Sequence, residues 1–269
     1  VYENAERYYS EAKKAKRKIP GATKAIEEVK KKIGEIKKRL RTETSIEARL
    51  PPRTVKKMWY EKFRWFYSSD GFLVIGGKDA STNEVLIRKY LDPCDIVFHA
   101  DIPGAPFVVI KTEKKEVPEE TIFEAAKMAG SYSRAWKETF QSMDVYWVRP
   151  HQISKSPPSG EYLRKGSFMI YGKRNYIRKV PLEVAIGVKW FDGRLKVIGG
   201  PPEAISRHAI AYVKLVPGEE NSGKLAKKVR DRIAELAPED IRQEVQKIPL
   251  EEIQVFIPYG RGKIVRNKD

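Results

Sequence analysis

From Tyr8 to Leu40, apolar or small residues recur at Tyr8, Ala12, Ala15 and Ile19, then at Ile26, Val29, Ile33, Ile36 and Leu40. Steps that alternate between four and three make a heptad seam, so residues 1–50 are predicted to form a coiled-coil helical arm. An ordinary bundle helix is the alternative. Pro20-Gly21 is expected to kink or break the helix, because proline removes an amide donor and clashes with the preceding turn. Residues 42–56 lose the periodicity and contain Pro51-Pro52, which marks a linker.

The pattern then changes to short aromatic and β-branched runs. Phe63–Tyr67, Phe72–Ile75, Ile96–His99 and Phe107–Ile110 read as strands. Asp70-Gly71 separates the first two and signals a tight hairpin, since a primed turn needs positive φ. Gly76-Gly77-Lys78-Asp79 and Asp101-Ile102-Pro103-Gly104 punctuate the others, with a short helix expected over Asn83–Leu91. Pro118–Lys137 carries a helical face of Ile122, Ala125, Ala126, Ala129, Tyr132, Ala135 and Trp136. Asp144–Val148 and Gly166–Tyr171 are predicted strands, and His151–Arg164 is a loop.

Beyond Val180 the pattern gives a hairpin over Val184–Ile198 turning at Asp192-Gly193, and a strand over Ala209–Val216. A helix capped by Ser222 should run to Leu236, and a shorter one should occupy Pro238–Ile248. Ile253–Ile257 looks strand-like and precedes a basic tail. The expected fold is α+β: a mixed or antiparallel sheet flanked by helices and preceded by the arm. Residues 51–180 would form one domain, and 181–269 an α/β extension completing it or appended to it.

Charge sharpens this picture. Lys and Arg number 53 against 36 Asp and Glu, a formal net charge of +17, interleaved with 10% aromatic residues. Such a balance attracts polyanions, nucleic acid first among them. A solvated charged surface gives the same count. Cys94 is alone, so neither an intrachain disulfide nor a thiolate cluster can form, which fits a reducing cytoplasm. No apolar run reaches the ~18 residues of a membrane span.

Gly76-Gly77 leaves backbone amides open beside Lys78, Asn83, Arg88 and Lys89, the mixture of donors that a phosphate backbone seeks. The GxxxxGK[ST] spacing of a nucleotide-triphosphate loop is absent. His99 and Asp101 share one strand face and invite an acid–base reading. His151 and His208 stand in no ligand spacing with His99, so no metal site and no cofactor is expected. Lys155, Arg164 and Lys165 flank a stiff Ser-Pro-Pro-Ser-Gly loop, and Lys173-Arg174 forms a further basic cluster.

The stretches EKFRWFYSSDGF, GGKDASTNE, HADIPGAPFVVIK and VYWVRPHQISKSPPSGEYLRKGSFMIYGKRN, in that order, resemble the RNA-binding NFACT-R domain of the NFACT family. The preceding YENAERYYSEAKKAKRK resembles the end of that family's coiled-coil arm. The likeness covers roughly two-thirds of the chain, since several motifs stand in register. It implies that an amino-terminal family region lies outside this sequence. It further implies an RNA-binding module of ribosome-associated quality control rather than an enzyme. Its partners would be the rRNA of the large ribosomal subunit carrying stalled peptidyl-tRNA, and tRNA itself, in support of nascent-chain tailing. The arm would contact the ribosome or another copy. The RNA contacts would be Lys78, Asn83, Arg88, Lys89, His99, Lys111, Lys155, Arg164, Lys165, Lys173 and Arg174. Two readings compete: a nuclease using His99 and Asp101, and a coiled-coil interaction protein with an incidental basic surface.

Overall fold

The computed structural model describes residues 13–14, 16, 18–21, 23–35, 58–156 and 163–265. The chain divides into two compact units, Val1–Lys56 and Lys57–Asp269.

In the first unit, helix α1 runs over 23–35, and helical backbone is also present at 18–21. Pro20 and Gly21 both have helical backbone, so no break falls at either residue, whereas the junction at residue 22 lies outside the described residues. The Thr23 hydroxyl donates to the Ile19 carbonyl at 2.9 Å, one turn earlier, where it spans the proline-glycine step. Ile19, Ile26, Val29 and Ile33 are all exposed, so this seam is not buried within its own unit. The seam positions Tyr8, Ala12, Ala15, Ile36 and Leu40 lie outside the described residues, as does the linker with Pro51-Pro52.

The second unit is built on an antiparallel six-stranded sheet. Its strands are β1 (Arg64–Tyr67), β2 (Leu73–Gly76), β3 (Ile96–Ala100), β4 (Val108–Lys111), β5 (Ser142–Val148) and β8 (Asn175–Pro181). Their order is β1-β2-β4-β3-β5-β8. Side chains alternate across a strand, so each core strand serves two layers. Ile96, Phe98 and Ala100 face one core, whereas Val97 joins another with Ile75, Val109 and Leu86. A sheet buried on both faces reads as unbroken apolar runs, which is the pattern seen at Phe107–Ile110.

Helix α2 (Ala80–Lys89) covers one face and α3 (Glu119–Ser131) the other. Asp79 caps α2: its carboxylate accepts from the Thr82 amide at 2.8 Å and closes a capping box. The helix thus begins three residues before the expected start at Asn83. The expected Pro118–Lys137 helix is divided at Ser133, whose hydroxyl caps the short α4 (Arg134–Lys137).

A second antiparallel sheet has the order β10-β9-β11-β12, comprising β9 (Val184–Phe191), β10 (Arg194–Gly200), β11 (Ala211–Asn221) and β12 (Arg261–Val265). Asp192 and Gly193 both have positive φ, the primed turn expected between β9 and β10. Helix α5 (Pro202–His208) follows that hairpin. Helix α6 (Ser222–Leu236), capped by Asn221 rather than Ser222, packs on the sheet with α7 (Arg242–Gln246) and α8 (Leu250–Gln254). One continuous core joins the inner face of the first sheet, α3, the second sheet and α6.

Ile253–Ile257 was expected as a strand and is instead largely the end of α8 and the turn after it. Ile253 and Ile257 are buried while Val255 is exposed, a four-residue spacing that strand alternation would not give. The strand lies in the basic tail, as β12. The predicted strand at Gly166–Tyr171 shrinks to β7 (Met169–Ile170), paired with β6 (Ile153–Ser154) in a small ribbon. Among the described residues no helix is long and apolar enough to cross a membrane.

Candidate functional site

A cleft of about 650 Å³ opens on the α2 side of the first sheet. Three turns wall it: Gly77–Ala80 leading into α2, Pro103–Phe107 between β3 and β4, and Lys165–Phe168 before β7. Gly77 is needed at the first. A Cβ there would stand 1.9 Å from Asn83 Oδ1, the oxygen that accepts the Phe107 amide at 3.2 Å. One asparagine thus ties two walls together, and glycine makes room for it.

Gly166 anchors the third wall. Its φ is +77°, and a Cβ would meet the Ala80 backbone at 2.5 Å. Its amide donates to Glu84 Oε2 at 3.0 Å, which also accepts from Lys155 Nζ at 2.7 Å. The Lys155 bond, then the Gly166 amide, hold the Glu84 carboxyl below its ordinary range. Glu84 is therefore a latch fastening the basic turn to α2.

The residues expected at a site sort into groups. Lys78, Asn83, His99 and Lys165 meet at the cleft. Lys78 is exposed, with Nζ 3.5 Å from the Glu61 carbonyl. Partial desolvation, then Arg64 beside it, lowers the pKa of its ammonium. Lys165 is exposed at the opposite wall. Lys155 is engaged with Glu84 and lies over the Phe168 ring at 4.8 Å. Arg164 is exposed beside it, its carbonyl 3.4 Å from Lys155 Nζ.

Arg88 and Lys89 sit exposed on the last turn of α2, Arg88 paired with Glu84 at 3.5 Å. Lys173 and Arg174 are exposed before β8, and the Arg174 guanidinium stands 4.8 Å from the Tyr146 ring centre. Lys111 differs from all of these. Its ammonium donates to Asp92, Asp95 and the Tyr90 carbonyl, using all three of its protons inside the fold. The structure turns Lys111 inward, away from any phosphate.

His99 sits partly buried beside Phe107 and Tyr146, with ring centres 4.8 and 5.9 Å away. Burial lowers its pKa, favouring the neutral ring, and Nδ1 is sealed from solvent with no partner in good hydrogen-bond geometry among the described residues. No hydrogen bond joins it to Asp101 among the described residues. Nor do three or more His, Cys, Asp or Glu side chains converge there as a metal site would require. Cys94 is a free, exposed thiol.

The sequence did not single out Arg64, Tyr132 or Tyr146. Arg64 Nη1 donates to the Gly77 carbonyl at 2.9 Å, and its guanidinium stacks 4.6 Å from the Tyr132 ring centre. Its Nε is buried without a hydrogen-bond partner among the described residues. Tyr132 donates to the Phe256 carbonyl at 2.8 Å, and burial pushes its hydroxyl up to about 12. Tyr146 pairs across the strands with His99. Only knowledge of that β3–β5 pairing would have drawn it into the site.

Residues 62–172 match the family model described as the NFACT protein RNA binding domain. The archaeal Rqc2 homolog aRqcH of Methanocaldococcus jannaschii is 46% identical over 211 residues, covering 78% of this chain and 30% of that protein. The ribosome quality control complex subunit NEMF of Homo sapiens is 42% identical over 182 residues, covering 66% of this chain and 16% of its own. The Drosophila melanogaster homolog of that subunit is 41% identical over 193 residues, covering 70% and 19% respectively. This chain spans less than a third of the length of each of these relatives. Every residue of the three cleft walls lies inside the matched window, and the chain belongs to the NFACT family.

Proposed function

We propose that this chain is an RNA-binding module of ribosome-associated quality control, with the cleft and its rim as the RNA-binding surface. One observation carries the reading: Arg64, Lys78 and Lys165 line a single cleft, and none has a carboxylate within ion-pair distance among the described residues. Cations left without acidic partners favour an anionic ligand, and a phosphate backbone supplies one. Arg88, Lys89, Arg164, Lys173 and Arg174 extend the basic surface as further phosphate contacts, while Asn83 and Lys155 shape it. His99, neutral, would lie against a base rather than a phosphate.

The partners we assign are large-subunit rRNA and tRNA, met in the cytoplasm on subunits that still hold stalled peptidyl-tRNA. There the whole protein would promote tailing of the nascent chain. The heptad seam of the first unit, exposed at Ile19, Ile26, Val29 and Ile33, fits a coiled-coil arm. Phosphate contacts release counterions, so binding to a structured RNA should weaken linearly on a log–log salt plot. Lys78→Ala and Lys165→Ala should each make the slope shallower by about one unit without moving Tm. A flat salt plot for the parent chain would refute the reading.

A further inference from the structure

The cleft is more than a charged surface. Among the described residues Asp79 is the one acid that lines it, and that carboxylate is taken up by the Thr82 amide and hydroxyl at the start of α2. Three cations therefore face the opening against one engaged carboxylate. Arg64 cannot turn away, since its Nη1 is fixed on the Gly77 carbonyl and its plane on Tyr132.

Behind the cations the lining is aromatic. Phe107 and Phe168 meet edge to face, with ring centres 5.5 Å apart at 89°. His99 and Tyr146 continue the same lining. A duplex laid across the surface would use the cations and leave the aromatic lining empty. At about 650 Å³ the space falls in the range of clefts that enclose a small ligand.

We infer that the cleft takes one unstacked nucleotide of the bound RNA. Its phosphate sits among Arg64, Lys78 and Lys165, and its base lies against Phe168 and His99, with Phe107 behind them. This rests on the RNA-binding reading and adds to it a preference for RNA that offers an unpaired nucleotide. Such a nucleotide has two sources, a base extruded from within a helix or a residue at a chain end.

The test uses the full chain and three hairpins of identical stem: blunt, with a single-nucleotide bulge, and with a single 3′ overhanging nucleotide. Binding is followed by fluorescence anisotropy over a series of salt concentrations, with 2-aminopurine at the unpaired position. The bulged or the overhanging hairpin should bind about tenfold tighter than the blunt one, as stacking of one base on aromatic side chains allows. The 2-aminopurine emission should change on binding. Phe168→Leu, which keeps an apolar filling, should erase that advantage, so that all three hairpins bind the variant equally. A gain for the bulge assigns an internal nucleotide, and a gain for the overhang alone assigns a chain end; both support the inference. Equal affinity for all three hairpins with unaltered emission overturns it while the RNA-binding reading stands. Absence of salt-dependent binding to any hairpin overturns both.

Discussion

Replacing Glu84 with Gln tests whether the Lys165–Phe168 wall is held in place by the latch. The Glu84 side chain is 16% exposed and accepts from Lys155 at 2.7 Å and from the Gly166 amide at 3.0 Å. Hydrogen bonds to a charged group are worth about 1.5–3 kcal/mol. Glutamine keeps an oxygen for the Gly166 amide but loses the charge facing Lys155, whose side chain is 32% exposed. That exposure brings the lost ionic part toward the surface value of about 0.2–1 kcal/mol. The net cost should be about 1–2 kcal/mol, or about 2–8 °C in Tm for a body of this size. Glu84→Ala should cost more, because it also leaves the Gly166 amide without an acceptor. The pH dependence supplies a sign. A carboxyl held below its ordinary value of 4.5 stabilises the fold above that value, and the contribution is lost as pH falls through the lower, folded value. Scanning calorimetry from pH 7 to pH 3 should show the Tm gap between parent and Glu84→Gln closing below about pH 4.5. Equal Tm values at pH 7, or a gap that widens in acid, would refute the latch.

Two further substitutions separate structural lysines from those facing ligand. Lys111→Met removes the cation from Asp95, whose side chain is 1% exposed, and should destabilise by about 3 kcal/mol in urea unfolding while leaving RNA affinity of the folded protein unchanged. Lys127, with a 4% exposed side chain, bridges Glu183 at 3.1 Å and Glu203 at 2.6 Å. Lys127→Met should lower stability by about 2–3 kcal/mol, less than a full buried-pair loss because Lys214 still serves Glu183 at 3.1 Å; an unchanged urea midpoint would contradict this.

Local rules made part of the fold legible. Asp70-Gly71 and Asp192-Gly193 mark hairpins because few residues accept positive φ, and both hairpins form there, with positive φ at both residues of the second but at Gly71 alone in the first. The face of α3 was readable from its 3.6-residue period. What failed were segments that local rules leave degenerate. Ile253–Ile257 is too short an apolar run for its period to distinguish strand from helix. Strand β8 carries Arg178 and Lys179 on an exposed edge, so it shows no apolar alternation to detect. Asp79 looked like part of a glycine-rich loop, although its spacing to Thr82 was a helix cap. Arg64 and Tyr146 were invisible because their neighbours, Gly77 and His99, come to them only through strand pairing.

The lysines carry the same lesson into chemistry. In the sequence Lys78, Lys111, Lys155 and Lys165 are equivalent, each a cation beside a turn. The fold distinguishes them by whether a carboxylate lies within reach. Asp92 and Asp95 take Lys111, and Glu84 takes Lys155, so those charges are largely cancelled where they stand. Among the described residues no carboxylate reaches Lys78 or Lys165, and both share a cleft with Arg64. A formal charge of +17 therefore says that a polyanion will be attracted but not where. The place is set by the cations that folding leaves unpaired, and here they border an aromatic lining. That juxtaposition, rather than the total charge, is what makes the cleft a better candidate for RNA than the equally basic last turn of α2, where Arg88 and Lys89 stand on an open surface.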